Sequence, residues 1–219
     1  MCGLYSNTKT PDEMRRVFKY RQTPQFPPRP YITPASPIAI VRAVHKVREF
    51  ALVRWGLVPG WAKEIRPGRP LINARAETVN EKPSFRGAMK HGRCLVPADG
   101  FYEWSGQPKS KQAWFIHRPD HALFAFAGLW THWMSADGSE LETAAIITTS
   151  ANATIAPVHA RMPAVIPQDR YDEWLDTDTT TARMAHRLLT PAPDDFFNME
   201  KTTIERRQGR KKPDQLPLI

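Results

Sequence analysis

Seven short apolar runs set apart by turn-forming stretches, at residues 38–44, 50–57, 93–96, 101–104, 113–117, 123–130 and 144–149, most constrain how this chain can fold. Each is shorter than an ordinary helix and rich in β-branched or aromatic residues, the signature of a strand. Strands at this spacing predict a barrel-like or sandwiched, mainly antiparallel sheet. The first two flank the polar residues 45–49, which predicts a hairpin. Helices are expected where the pattern changes. Thr10-Pro11-Asp12-Glu13 is a capping box with Pro at the first helical position, and Met14, Val17 and Phe18 form the apolar stripe that follows. Further helices are expected at 84–90, 168–175 and 180–189. The expected class is therefore α+β, one domain with a barrel-like, mainly antiparallel β core flanked by helices.

With 219 residues, 41% of them hydrophobic and 10% aromatic, the chain can bury a sizeable core, which excludes disorder for most of it. The proline-dense residues 24–37 cannot be a helix or a central strand and are expected to form an extended, ordered wrap. The loop running to Pro70 is rich in Gly, Pro and Arg. The net charge of +9 admits a polyanionic partner. Part of that charge lies in residues 201–219, expected to be a flexible basic tail behind a domain spanning 1–200.

Two cysteines, Cys2 and Cys94, cannot make a disulfide framework, and no run is long enough for a membrane span. The expectation is a soluble, cytoplasmic monomer with no membrane partner. Phosphate loops, HExxH, paired CxxC and GxSxG are absent. His91 and Cys94 lie three apart without a second ligand pair, so no metal and no cofactor is expected.

Cys2 is the informative position. Loss of Met1 would leave an α-amine and a thiol on one residue. An α-amine has a pKa of about 7.7–8.0 against about 10.4 for Lys, so near pH 7 it is partly neutral and nucleophilic. It can form a Schiff base with an aldehyde. The neighbouring thiol can then close the imine into a stable thiazolidine, so a terminal Cys traps aldehydes that other amines bind reversibly.

Three polar patches have the look of a site. Asn73-Ala74-Arg75-Ala76-Glu77 follows an apolar pair, and Asp99-Gly100-Phe101-Tyr102-Glu103-Trp104 sets carboxylates among aromatics, where desolvation raises a carboxyl pKa. His159-Ala160-Arg161-Met162-Pro163 follows Thr148-Thr149-Ser150, the polar end of an apolar strand.

Together with Met1-Cys2-Gly3, Trp55-Gly56-Leu57-Val58-Pro59-Gly60-Trp61 and Arg93 to Trp104, these patches resemble the SOS-response-associated peptidase family, the abasic-site processing proteins, in order from Met1 to about Leu175. The resemblance implies a groove for single-stranded DNA containing abasic sites. It also implies a covalent crosslink between Cys2 and the ring-opened aldehyde, which shields the lesion, and nucleoid association when damaged DNA is bound. By motif position, Asn73 would position the amine and sugar, Glu103 would relay protons and His159 would act as general acid/base. The peptidase label would reflect self-removal of Met1. Arg54, Arg75 and Arg161 are expected to hold phosphates, Trp55, Trp61 and Trp104 to offer stacking faces, and Thr149 to line the groove, since a positive groove with aromatic platforms binds single strands without sequence preference.

Three positions depart from the family pattern: Leu4 where Arg is usual, Tyr31 where Asn is frequent, and Ala160 where an acidic residue often follows the His. Two other readings compete. Amidotransferases with an N-terminal Cys nucleophile use an Asn-Gly pair that this chain lacks. A non-covalent single-strand-binding module leaves the terminal Cys unexplained.

Overall fold

The strands of this protein are Tyr5–Asn7 (β1), Arg29–Ile32 (β2), Pro37–Val44 (β3), Val47–Trp55 (β4), Asn73–Arg75 (β5), Arg93–Ala98 (β6), Gly100–Ser105 (β7), Gln112–His117 (β8), Phe124–Met134 (β9), Glu140–Ser150 (β10), Arg161–Pro163 (β11), Val165–Ile166 (β12) and Asn198–Thr202 (β13). Its helices are Pro11–Phe18 (α1), Pro83–His91 (α2), Tyr171–Leu175 (α3) and Ala182–His186 (α4). The computed structural model describes residues 2–22, 24–65, 70–107 and 110–204.

One sheet has the order β13-β8-β7-β1-β2. In the other, β10, β4, β3, β6 and β9 close on themselves because β9 also pairs with β10, giving a five-stranded barrel with β5, β11 and β12 at its rim. Pairing is antiparallel except where β10 meets β4 and β5. The expected α+β class with a barrel-like β core is thus the observed one.

Both faces of β6 and of the central parts of β3, β9 and β10 are buried, which explains their nearly unbroken apolar runs, whereas Leu52 of β4 is exposed. Ile38, Ile40, Cys94, Val96, Phe126 and Ile146 face a core shared with Tyr5, Phe101 and Ile116 of the first sheet. The alternate residues Ala39, Val41, Leu95, Ala127 and Ile147 pack with Met14, Phe18, Phe85, Met89 and Trp174 from the helices. Cys94 is fully buried in the first of these cores, and a side chain on Gly128 would meet its Sγ at 2.7 Å.

Helix α1 begins as expected, with Thr10 and Glu13 closing a capping box. The 168–175 helix is shorter than expected, a 3₁₀ turn Gln168–Arg170 leading into α3, and the 180–189 helix contracts to α4, capped by Thr181. Within the proline-dense segment, β2 forms the edge of the first sheet, where a Pro is tolerated. The boundary expected at residue 200 falls inside β13, because Lys201 and Thr202 pair with Trp114 and Ala113. The rest of the expected tail, from residue 205 onward, lies outside the described residues. Among the described residues no helix is long and apolar enough to cross a membrane, and no group of three His, Cys, Asp or Glu is arranged to hold a metal ion.

The β3–β4 hairpin is tighter than the loop expected at 45–49. Val44 pairs with Val47, and His45 and Lys46 make a two-residue turn with φ of 48° and 62°. Such turns favour Asn-Gly, and left-handed backbone strains other side chains. The double substitution His45→Asn, Lys46→Gly is expected to stabilise the protein by about 1 kcal/mol, read as a higher denaturation midpoint with an unchanged slope.

Candidate active site and nucleic-acid interface

Strand β1 lies antiparallel to β7, with Tyr5 opposite Phe101, and the Tyr102 N–H donates to the Leu4 carbonyl at 2.9 Å. Continued by two residues, this register carries the start of the chain alongside Glu103. Cys2 is 1% exposed and belongs to the core between barrel and sheet. Its carbonyl accepts a hydrogen bond from Asn73 Nδ2 at 2.9 Å. Burial, reinforced by the negative charge of Glu103, pushes the Cys2 thiol well above its ordinary pKa, so sulfur carries its proton at neutral pH.

Glu103 shares the inward face of β7 with Phe101 and is 3% exposed. Burial raises its carboxyl pKa, while the nearby His159 pulls in the opposite direction. The result is a carboxyl shifted towards the range useful for proton transfer at neutral pH. His159 precedes β11. The backbone N–H of Arg161 donates to His159 Nδ1 at 2.9 Å, and the Arg161 carbonyl lies 3.0 Å from the same nitrogen. Nδ1 thus has both a donor and an acceptor of the Arg161 backbone within reach, whichever tautomer the ring adopts.

Strand β10 organises the charged rim. Its end is flanked by β5, with Thr148 opposite Arg75, and by β11, with Ser150 opposite Arg161. Arg75 is exposed and lies two residues from Asn73, on the same strand face. Arg161 makes a two-pronged ion pair with Glu77, Nη1 to Oε1 at 2.5 Å and Nη2 to Oε2 at 3.0 Å, and Nη2 also donates to the Thr148 carbonyl at 2.6 Å. The hydrogen bonds from Arg161 hold the Glu77 carboxyl below its ordinary pKa. Glu77 and Thr148 received no role from the sequence, although each stands in a polar patch that stood out there.

Other expected contacts lie elsewhere. Trp55 is 0% exposed, donates Nε1–H to the Ile72 carbonyl at 3.0 Å and packs edge-on against Tyr5, so it presents no stacking face to a ligand. Its apolar bulk fills the core beside Cys2. Arg54 falls on the opposite face of β4, the alternation of the strand setting it away from Trp55 and the Cys2 core. Thr149 is buried opposite Met162. Trp104 is half-buried on the outward face of β7. Trp61 is 66% exposed, as its Pro/Gly loop suggested, and lines an open groove of about 280 Å³ with Trp130, Pro83 and His91. Cys2, Asn73, Glu103 and His159 do not line that groove.

Of the departures, Leu4 is buried, Tyr31 is exposed and packs on Tyr102 with ring centroids 5.5 Å apart, and Ala160 is exposed. The segment that follows Phe196 is integral to the fold: Phe197 is buried against Phe101 and Phe124.

A β barrel backed by a second sheet thus holds a buried cysteine near the N-terminus beside an asparagine and a glutamate. The chain belongs to the SOS response associated peptidase (SRAP) family, whose profile matches residues 1–207. It is 36% identical over 195 residues to the abasic site processing protein YoqW of Bacillus subtilis, covering 87% of each chain. It is 34% identical over 176 residues to the abasic site processing protein HMCES of Gallus gallus, covering 69% of this chain and 52% of the other. A crystal structure of a Bacteroides thetaiotaomicron protein superposes with a TM-score of 0.83 at 25% identity, covering 92% of both chains. One from Bordetella bronchiseptica gives 0.80 at 26%, covering 93% of this chain and all of the other.

Proposed function

We propose that this protein processes abasic sites in single-stranded DNA by capturing the sugar aldehyde on Cys2 as a thiazolidine, after hydrolysis of the Met1–Cys2 peptide bond. The observation that carries the reading is the convergence of Asn73 and Glu103 on Cys2, with Asn73 holding its carbonyl at 2.9 Å. The names of the relatives support the substrate.

The chemistry balances without a redox partner. The freed α-amine adds to the C1′ aldehyde, and the carbinolamine hydroxyl leaves as water once Glu103 has supplied a proton. Sulfur then bonds to the carbon of the protonated imine while its proton returns to the Glu103 carboxylate, directly or through His159, which restores the acid. One water is lost overall. A protonated, buried thiol suits this order, since the amine acts first and the thiol delivers its proton during ring closure. Arg75 anchors a phosphate beside Asn73, while Trp61, exposed on its own groove, offers a face to a base further along the strand.

The test mixes Met1-processed protein with an oligonucleotide carrying one abasic site and runs a denaturing gel. The wild-type protein should give a heat-stable, slowly migrating species. Cys2→Ser should give only an imine, visible after borohydride trapping, and Cys2→Ala no heat-stable species. A heat-stable product from Cys2→Ala refutes the assignment, as does its absence from the wild-type protein.

A further inference from the structure

We propose that Glu77 is a specificity-determining residue: it grips Arg161 in the free protein as a stand-in for a DNA phosphate and yields it when a strand binds. This rests on the reading of the protein as a binder of single-stranded DNA. A carboxylate engages the guanidinium fork as a phosphate does, through two parallel N–H···O bonds, and Glu77 uses both of its oxygens in this way. The two side chains differ in freedom. That of Glu77 is 52% exposed and that of Arg161 only 18%. Arg161 is also tethered independently of Glu77, since Nη2 donates to the Thr148 carbonyl and lies 3.3 Å from Thr148 Oγ1. Swinging Glu77 into water therefore frees Nη1 and part of Nη2 without releasing the guanidinium from the rim.

Arg75 and Arg161 flank the end of β10 on opposite sides, with Glu77 close behind Arg75 on the 3₁₀ turn Ala76–Thr78. A strand crossing that rim would meet Arg75 exposed and Arg161 occupied. Binding must displace Glu77, so undamaged single strands are held more weakly than the arginines alone would allow. A lesion held covalently at Cys2 does not depend on that affinity.

The test measures affinity for an undamaged single-stranded oligonucleotide by fluorescence anisotropy at fixed salt. Glu77→Gln should bind about 10-fold more tightly than the wild-type protein, the scale of one charge-assisted pair no longer opposed. Glu77→Asp, which keeps the charge but is too short to hold both prongs, should bind more tightly too. In an Arg161→Ala background neither substitution should have any effect. Unchanged or weaker binding by both variants overturns the proposal, as does a gain from Glu77→Gln that persists without Arg161, which would reflect net charge alone. If the wild-type protein binds no single-stranded DNA, the single-strand reading itself falls, and this inference with it.

Discussion

Glu103→Gln is expected to melt at a higher temperature than the wild-type protein at neutral pH and to form the abasic-site adduct about 10²–10⁴-fold more slowly, the range lost with a positioned acid–base group. Both effects have one cause. Glu103 sits 3% exposed between the sheets, where burial disfavours its charged form and lifts its pKa above the ordinary 4.5. An acid whose pKa is raised by folding stabilises the native state below the unfolded value. That contribution is lost as pH rises through the folded value. At neutral pH the wild-type protein therefore bears a desolvation cost that the amide avoids, and the gap in melting temperature should narrow on acidification towards pH 4.5. The amide cannot supply the proton with which the carbinolamine hydroxyl leaves as water. Thermal melts at several pH values, paired with single-turnover adduct formation, check both halves. Equal melting temperatures at neutral pH would show that the buried carboxyl is fully compensated.

Arg93→Met is expected to cost about 3 kcal/mol or more of folding stability, a drop of roughly 6–12 °C in melting temperature for a domain of this size, while the folded fraction keeps the chemistry at Cys2. Arg93 is 1% exposed and, among the described residues, its guanidinium donates only to backbone carbonyls, those of Trp174, Met89, Asp176 and Thr180. It ties β6 to the end of α2, to α3 and to the turn before α4. Burial lowers its pKa to about 10, so it stays charged at neutral pH. Met fills similar volume but removes the guanidinium donor from three buried carbonyls and one part-buried one, and unmade buried hydrogen bonds cost far more than made ones contribute. Urea denaturation measures the loss. A change under 1 kcal/mol would mean that water replaces the guanidinium.

The same contrast between local and long-range signals decides what was legible in the sequence. The capping box of α1 and the strand character of β3, β4 and β6 to β10 are written in residue type and spacing, whereas Asn73, Glu103 and His159 stand out only as members of polar patches and take their roles from the family resemblance. Strands β1, β5, β11, β12 and β13 are two to five residues long and exist only because a neighbour pairs with them, so no local pattern announces them. Trp55 and Arg54 show the limit for site residues. Both adjoin a recognisable motif, yet strand alternation turns one into the core and the other to the far face. The tie between Arg161 and Glu77 spans 84 positions and becomes visible only once β5 and β11 are laid beside β10.

The central claim, that Cys2 closes a ring on a sugar aldehyde, is tested most directly by intact mass measurement of the product formed with an abasic-site oligonucleotide. The account predicts the mass of the protein lacking Met1 plus the oligonucleotide minus one water, unchanged by borohydride, with fragmentation locating the adduct on Cys2. A product that retains Met1, that gains two hydrogens on reduction, or that maps to a lysine would contradict it.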